Sequence, residues 1–180
     1  MLINTSSFKV LLISLGGIFS QLILLSMFFI LYKFNFVNVD LYKIFIRYNC
    51  YIILFNLLPM YPLDGFKILN SLLEIFLSFK KSIKLSLVLS LVCIILFFIY
   101  LYLYKISNYV IIVFLLVSLV NYIKEVKYII NKFYIERILY NLEYNGMISV
   151  RSINYIYKNR FNYINGINEK KVLKDKFNII

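Results

Sequence analysis

The chain has 180 residues, 62% hydrophobic and 16% charged, with a net charge of +12 and no histidine. Soluble domains run at about 45–50% apolar and about 25% charged, so a mean hydropathy of +0.83 excludes an ordinary water-soluble fold. Its 17 Tyr and 17 Phe exclude disorder, which is poor in aromatics. Without imidazole these residues hold no Ser-His-Asp triad and no histidine-bound metal. Nor does the charge mark a nucleic-acid binder. Residues 1–123 carry nine basic against three acidic groups and residues 124–180 eleven against five, +6 in each part. In the first part the basic residues stand singly or in small groups between long apolar runs, as the positive-inside rule produces. The expected partner is the lipid bilayer, with no nucleic acid. Cys50 and Cys93 lie in apolar stretches outside any CxxC pair and are expected as buried core thiols.

Val10 to Tyr32, between Lys9 and Lys33, is long enough at about 1.5 Å per residue to cross a hydrocarbon core of about 30 Å. It lacks the small-x-small cleavage site of a signal peptide and is expected as a first transmembrane span (about 10–32). A second span (about 48–63) starts after Arg47 and breaks at Pro59, Pro62 and Gly65, with Asp64 among them. Phe66 to Phe79 reads as a short, half-apolar helix, either lying at the interface or continuing the second span after a kink. Two further spans (about 85–104 and 106–123) are separated only by Lys105 to Asn108, which predicts a tight antiparallel hairpin. Assigning the connections alternately places nine Lys/Arg on the N-terminal side of the membrane against four on the other, so both termini are expected in the cytoplasm.

After Ile123, Val126, Ile129, Ile130, Phe133, Ile138 and Leu142 recur at helical spacing. They predict a cytoplasmic amphipathic helix over about 124–145, ending near Asn145-Gly146. Residues 146–180 read as a short basic tail with a hint of one strand at Ile148–Ile153. Lys158-Asn159-Arg160 and Lys170-Lys171 are either solvated or in contact with anionic lipid. The expected architecture is thus an all-α membrane protein: a membrane core over 1–123 with four transmembrane helices, the second interrupted by a Pro/Gly-broken loop, then the amphipathic helix and the tail.

Pro and Gly that break an apolar segment need protein or a water-filled cavity around them, because unpaired backbone groups cost several kcal/mol in lipid. Asp64 beside them is an ionisable group near membrane depth, by default a functional site; equally, it serves as a cap for the following helix. The order of residues from Asn56 to Gly65 reads N-x-x-P-x-x-P-L-D-G and resembles the second signature of the site-2 protease family of intramembrane zinc metalloproteases. The resemblance covers roughly residues 10–145. It includes the hairpin of spans and the passage from Val117-Ser118-Leu119 to a charged helix with Glu136-Arg137.

That resemblance implies a zinc ligand at Asp64 and a substrate groove shaped by Asn56, Pro59, Pro62, Leu63 and Gly65. It also implies a bacterial cell membrane, and as substrate a membrane-associated regulatory protein, in the family's sporulation branch a sigma factor. The family's remaining ligands and its catalytic glutamate come from an H-E-x-x-H helix, and no H-E-x-x-H occurs here. Leu15-Gly16-Gly17-Ile18 stands where relatives usually have Gly-Pro, and Phe66 follows Gly65 where many have a second glycine. No catalytic residue of the family is therefore present, and no zinc is expected to be held by this chain alone, since catalytic zinc keeps three protein ligands. Three explanations stand: the C-terminal part of such a protease, a degenerate homologue acting as a membrane substrate-binding or interaction module, or an unrelated membrane protein that matches by chance.

Overall fold

The computed structural model describes residues 3–105, 109–140, 144 and 146–178. Ser6 opens the first helix, α1 (Ser7–Lys33), its hydroxyl accepting from the Lys9 N–H at 3.4 Å. At 27 residues it spans roughly 40 Å. No proline interrupts it, and only 6% of its most apolar stretch is buried in the protein. The fourth helix, α4 (Phe79–Leu103), is equally apolar, with 22% of the corresponding stretch buried. Both helices leave many large apolar side chains exposed, among them Phe19, Ile23, Met27, Leu96 and Leu103. Among the described residues these two helices are long and apolar enough to cross a membrane.

The other two expected spans differ. The second helix, α2 (Val39–Leu57), begins nine residues before residue 48 and carries Asp40, Lys43 and Arg47 in its first half. Nothing from Val39 to Arg47 is proline or glycine, so the backbone stays helical through the charges, and the apolar part is short. The fifth helix, α5 (Val110–Leu139), is one rod of 30 residues. It joins the apolar run to the predicted amphipathic helix because polarity changes at Lys124 without a helix breaker. Ile106, Leu142 and Asn145, which belong to the predicted bounds of these elements, lie outside the described residues. Cys50 is exposed on α2, not the buried core thiol expected, whereas Cys93 is half-buried on α4 and packs against the Met60 cluster.

Between α2 and α4 lies α3 (Asp64–Phe76), two residues ahead of its expected start, closed by extended Leu77 and Ser78. Its buried face is Gly65, Phe66, Ser71 and Glu74. It packs chiefly on α1 and α4, and α4 in turn packs on α5. On α4, Ser82, Ser86 and Ser90 are all buried, one turn apart, and small side chains of this kind let neighbouring segments approach closely. Ser86 Oγ donates to Asn70 Oδ1 of α3 at 3.1 Å. One core cluster joins Met60 to Ile94, Leu115 and Leu119. A second joins Phe79, Ile83, Phe133, Tyr134 and Ile138 to Val150, Ile156, Ile164 and Leu173.

That second cluster shows residues 146–178 to be a folded unit rather than a tail. Strand β1 (Met147–Val150) pairs in parallel with β2 (Phe161–Ile164), with Met147 opposite Phe161 and Val150 opposite Ile164. β3 (Ile167–Asn168) returns antiparallel to β2, and α6 (Glu169–Phe177) follows. Asn165 and Gly166 make the β2–β3 turn with φ of 50° and 82°, the two positive values that an Asn-Gly hairpin turn requires. The unit is fastened by charge. Arg137 of α5 and Glu169, both fully buried, pair at 2.8 Å, and the guanidinium also donates to the carbonyls of Lys158 and Arg160 at 3.1 and 2.8 Å. Lys158, a candidate lipid contact in the sequence, is instead buried against Glu74 of α3 at 2.8 Å.

Candidate functional site: the Pro59–Pro62 turn and Asp64

Helix α2 ends at Leu57 because Leu58 precedes a proline and is driven to extended backbone, φ −62° and ψ 135°. The chain then folds back on itself: the Met60 N–H donates to the Leu58 carbonyl at 2.7 Å and the Leu63 N–H to the Met60 carbonyl at 2.8 Å. The Tyr61–Pro62 peptide is cis. The helices behind the turn hold it in place. Met60 is 1% exposed between α4 and α5, and the Tyr61 N–H donates to Ser90 Oγ at 2.9 Å. The Tyr61 ring stacks on Tyr122 of α5 at 4.4 Å, and Phe66 meets both rings edge-on. The irregular backbone is thus packed against α4 and α5. Gly65 closes the turn. A Cβ there would strike the backbone carbonyls of Leu57 and Leu58.

Asn56 sits half-buried on the last turn of α2, and Pro59, Pro62 and Leu63 are half-buried in the turn, Leu63 packing on the Met60 cluster. The residues singled out by the signature therefore run without a break from the last turn of α2 through the turn to Asp64 and Gly65, the first two residues of α3. The position of Asp64 in the first turn favours a negative charge through the helix dipole. Leu63, not Asp64, is the N-cap, so Asp64 is not the capping residue.

The Asp64 carboxylate faces two groups. Lys67 Nζ lies 2.8 Å from Oδ1, a part-exposed pair of the kind worth about 0–1 kcal/mol. On the other side Oδ2 reaches α1, where a Cβ built on Gly17 would lie only 2.7 Å away. Gly17 thus leaves the space that the carboxylate fills, whereas Gly16 has nothing within 4 Å. The two glycines predict opposite behaviour. Gly16→Ala should stabilise the helix by about 0.5–1 kcal/mol. At Gly17 the same gain should be offset, because the carboxylate must rotate away. Thermal unfolding in detergent should show the midpoint rising for the first and not for the second; equal rises would contradict the close approach.

Glu74, which the sequence reading did not single out, carries the other polar centre. Beside Lys158, its carboxylate accepts from Ser7 Oγ at 2.8 Å and from Asn70 Nδ2 at 2.9 Å. The signal was present as a carboxylate in a half-apolar helix; its partner, 84 residues away, was not readable. A cavity of about 400 Å³ lies at the Glu74 centre, lined among others by Lys67, Asn70, Glu74, Tyr122 and Lys158. Its size falls in the range of small-ligand sites, about 300–1,000 Å³.

Zinc does not fit the residues present. Among the described residues no three His, Cys, Asp or Glu side chains come together, and Asp64 already has an ammonium partner. A single carboxylate falls short of the three protein ligands of a catalytic zinc site. No protein-family model matches the chain, and no curated protein matches it either.

Proposed function

We propose that this chain is the aspartate-bearing part of a site-2-protease-like membrane core, hydrolytically inert by itself. Its four spans would lie in a bacterial cell membrane with both termini in the cytoplasm. The completed assembly would be an intramembrane zinc endopeptidase acting on a membrane-associated regulatory protein, with sporulation sigma-factor processing as the family precedent. The observation that carries this reading is the Asn56–Gly65 turn packed on α4 and α5. It delivers the partly exposed Asp64 carboxylate against a glycine of α1. Asp64 would supply one metal ligand, and the two histidines and the glutamate of H-E-x-x-H would come from a further polypeptide segment.

The genomic sequence ahead of the first codon tests this. An H-E-x-x-H in frame, or displaced by a frameshift, is the expected finding, and its absence removes the reading. Purified alone, the chain should hold no stoichiometric zinc by atomic absorption. Joined to such an upstream segment it should hold one, and Asp64→Asn should lose it.

The Asp64–Lys67 ion pair favours a second reading, a non-catalytic homologue that holds a membrane protein without cutting it, since the carboxylate has a cationic partner within the chain itself. Crosslinking would then capture a membrane partner near Asn56 and Asp64, and Asp64→Asn would leave that partner bound.

A further inference from the structure

Three lysines distant in sequence converge where the helical bundle meets the C-terminal unit. Lys80 comes from the first turn of α4, Lys127 from the middle of α5 and Lys176 from the last turn of α6. All three line one cavity of about 370 Å³, and among the described residues none that lines it is acidic. Two of the three ammonium groups are held in place. Lys80 Nζ donates to Asn154 Oδ1 at 2.8 Å, and Lys176 Nζ sits 4.8 Å over the ring of buried Tyr134. Burial, and then the nearby charge of Lys80, push the Lys176 amine below its ordinary range. Like charges gathered beside a part-buried wall without a carboxylate disfavour one another unless an anion enters.

The remaining wall decides which anion. Ile123, Val126 and Ile130 of α5 line the same cavity, and Ile123 is 53% exposed at the end of the apolar run that begins at Val110. The site is therefore basic on one side and continuous with an apolar helix face on the other. A free anion would use only the first side; a lipid uses both. Basic pockets between helices at the membrane surface take phospholipid head groups in this way.

We infer that the Lys80–Lys127–Lys176 cavity is a binding site for one anionic phospholipid, its phosphate among the three ammonium groups and its acyl chains along α5. The site is independent of Asp64 and of any protease chemistry. It also differs from the lysines the sequence pointed to, since Lys158 is committed to Glu74.

The test is native mass spectrometry of the full chain in detergent, titrated with phosphatidylglycerol. One lipid should be retained, with affinity falling about fivefold for each charge removed and on the order of a hundredfold for Lys80→Gln/Lys127→Gln/Lys176→Gln. Lys124→Gln/Lys171→Gln/Lys174→Gln removes the same charge from exposed positions and should leave retention unchanged. If the first triple variant does not fold, Lys127→Gln alone, on an exposed position of α5, still reports the fivefold loss. Inorganic phosphate at equal concentration should not displace the lipid. Equal retention of phosphatidylcholine, equal loss in the charge-matched variant, or displacement by inorganic phosphate would each overturn the assignment.

Discussion

Arg137→Met is expected to destabilise the docking of the C-terminal unit by roughly 3–5 kcal/mol, the cost of leaving one partner of a buried ion pair uncompensated. Arg137 and Glu169 have no exposed side-chain surface, and their charges meet at 2.8 Å. Removal of the guanidinium strands the Glu169 carboxylate, which would keep only the Asn162 amide at 2.9 Å. It also strips a donor from the carbonyls of Lys158 and Arg160. The cation further lies 4.5 Å over the Tyr144 ring, so packing is lost along with charge. Arg137→Lys should recover little, because a lysine has no planar fork to reach a carboxylate and two carbonyls together. Arg137→Met/Glu169→Leu should recover part of the loss, since no buried charge is then left alone. Limited proteolysis should open new cuts within 146–178 while α1 and α4 stay protected. An unfolding midpoint equal to that of the parent chain would show that this pair does not hold the unit.

The same anchoring explains which parts of the fold were legible. α1 and α4 follow from uninterrupted apolar runs between lysines, and the structure bounds them within a few residues of that reading, apart from the start of α4 at Phe79. At Lys124 the change from apolar to amphipathic was read as a boundary, yet polarity alters what a helix faces and not whether it continues, so α5 runs on. The C-terminal unit was missed for a different reason. Its buried apolar residues, Val150, Ile156, Ile164 and Leu173, form a core only together with Phe79 and Ile83 of α4 and Phe133, Tyr134 and Ile138 of α5. Its charges looked like surface because Arg137, Lys158, Glu74 and Glu169 are far apart in sequence. Two local signals were readable: the alternation at Ile148–Ile153, where β1 forms over Met147–Val150, and Asn165-Gly166 between Phe161–Ile164 and Ile167, a hairpin turn by composition. At the candidate site the linear order from Asn56 to Gly65 already marks the turn. Ser90, Tyr122 and Gly17, which fix it in space, come from three other helical turns, and no spacing rule connects them to it.

Gly65→Ala should be the most damaging single methyl added to this chain, costing at least about 3 kcal/mol, the upper range for overpacking. The atoms in the way are backbone carbonyls of Leu57 and Leu58. They cannot swing aside as a side-chain end does, and they belong to the residues that end α2 and begin the turn. Relief requires α3 to move away from α2, which pulls on the Tyr61–Ser90 bond, the Tyr61–Tyr122 stack and the Phe66 edge contacts together. Asp64, the neighbouring residue, would leave its place over Gly17. Stability and site geometry are thus tied to one position, which separates it from Gly16, where an added methyl meets nothing. In a Cys50→Ser/Cys93→Ser background, Asp64→Cys gives a thiol at a partly exposed position. Adding Gly65→Ala should speed its reaction with a bulky maleimide and lower the thermal midpoint, whereas adding Gly16→Ala should leave the rate unchanged and not lower the midpoint. Unchanged reactivity in the Gly65→Ala chain would mean that the turn tolerates the methyl, and that the carboxylate is placed by something other than the close packing of residue 65 against the end of α2.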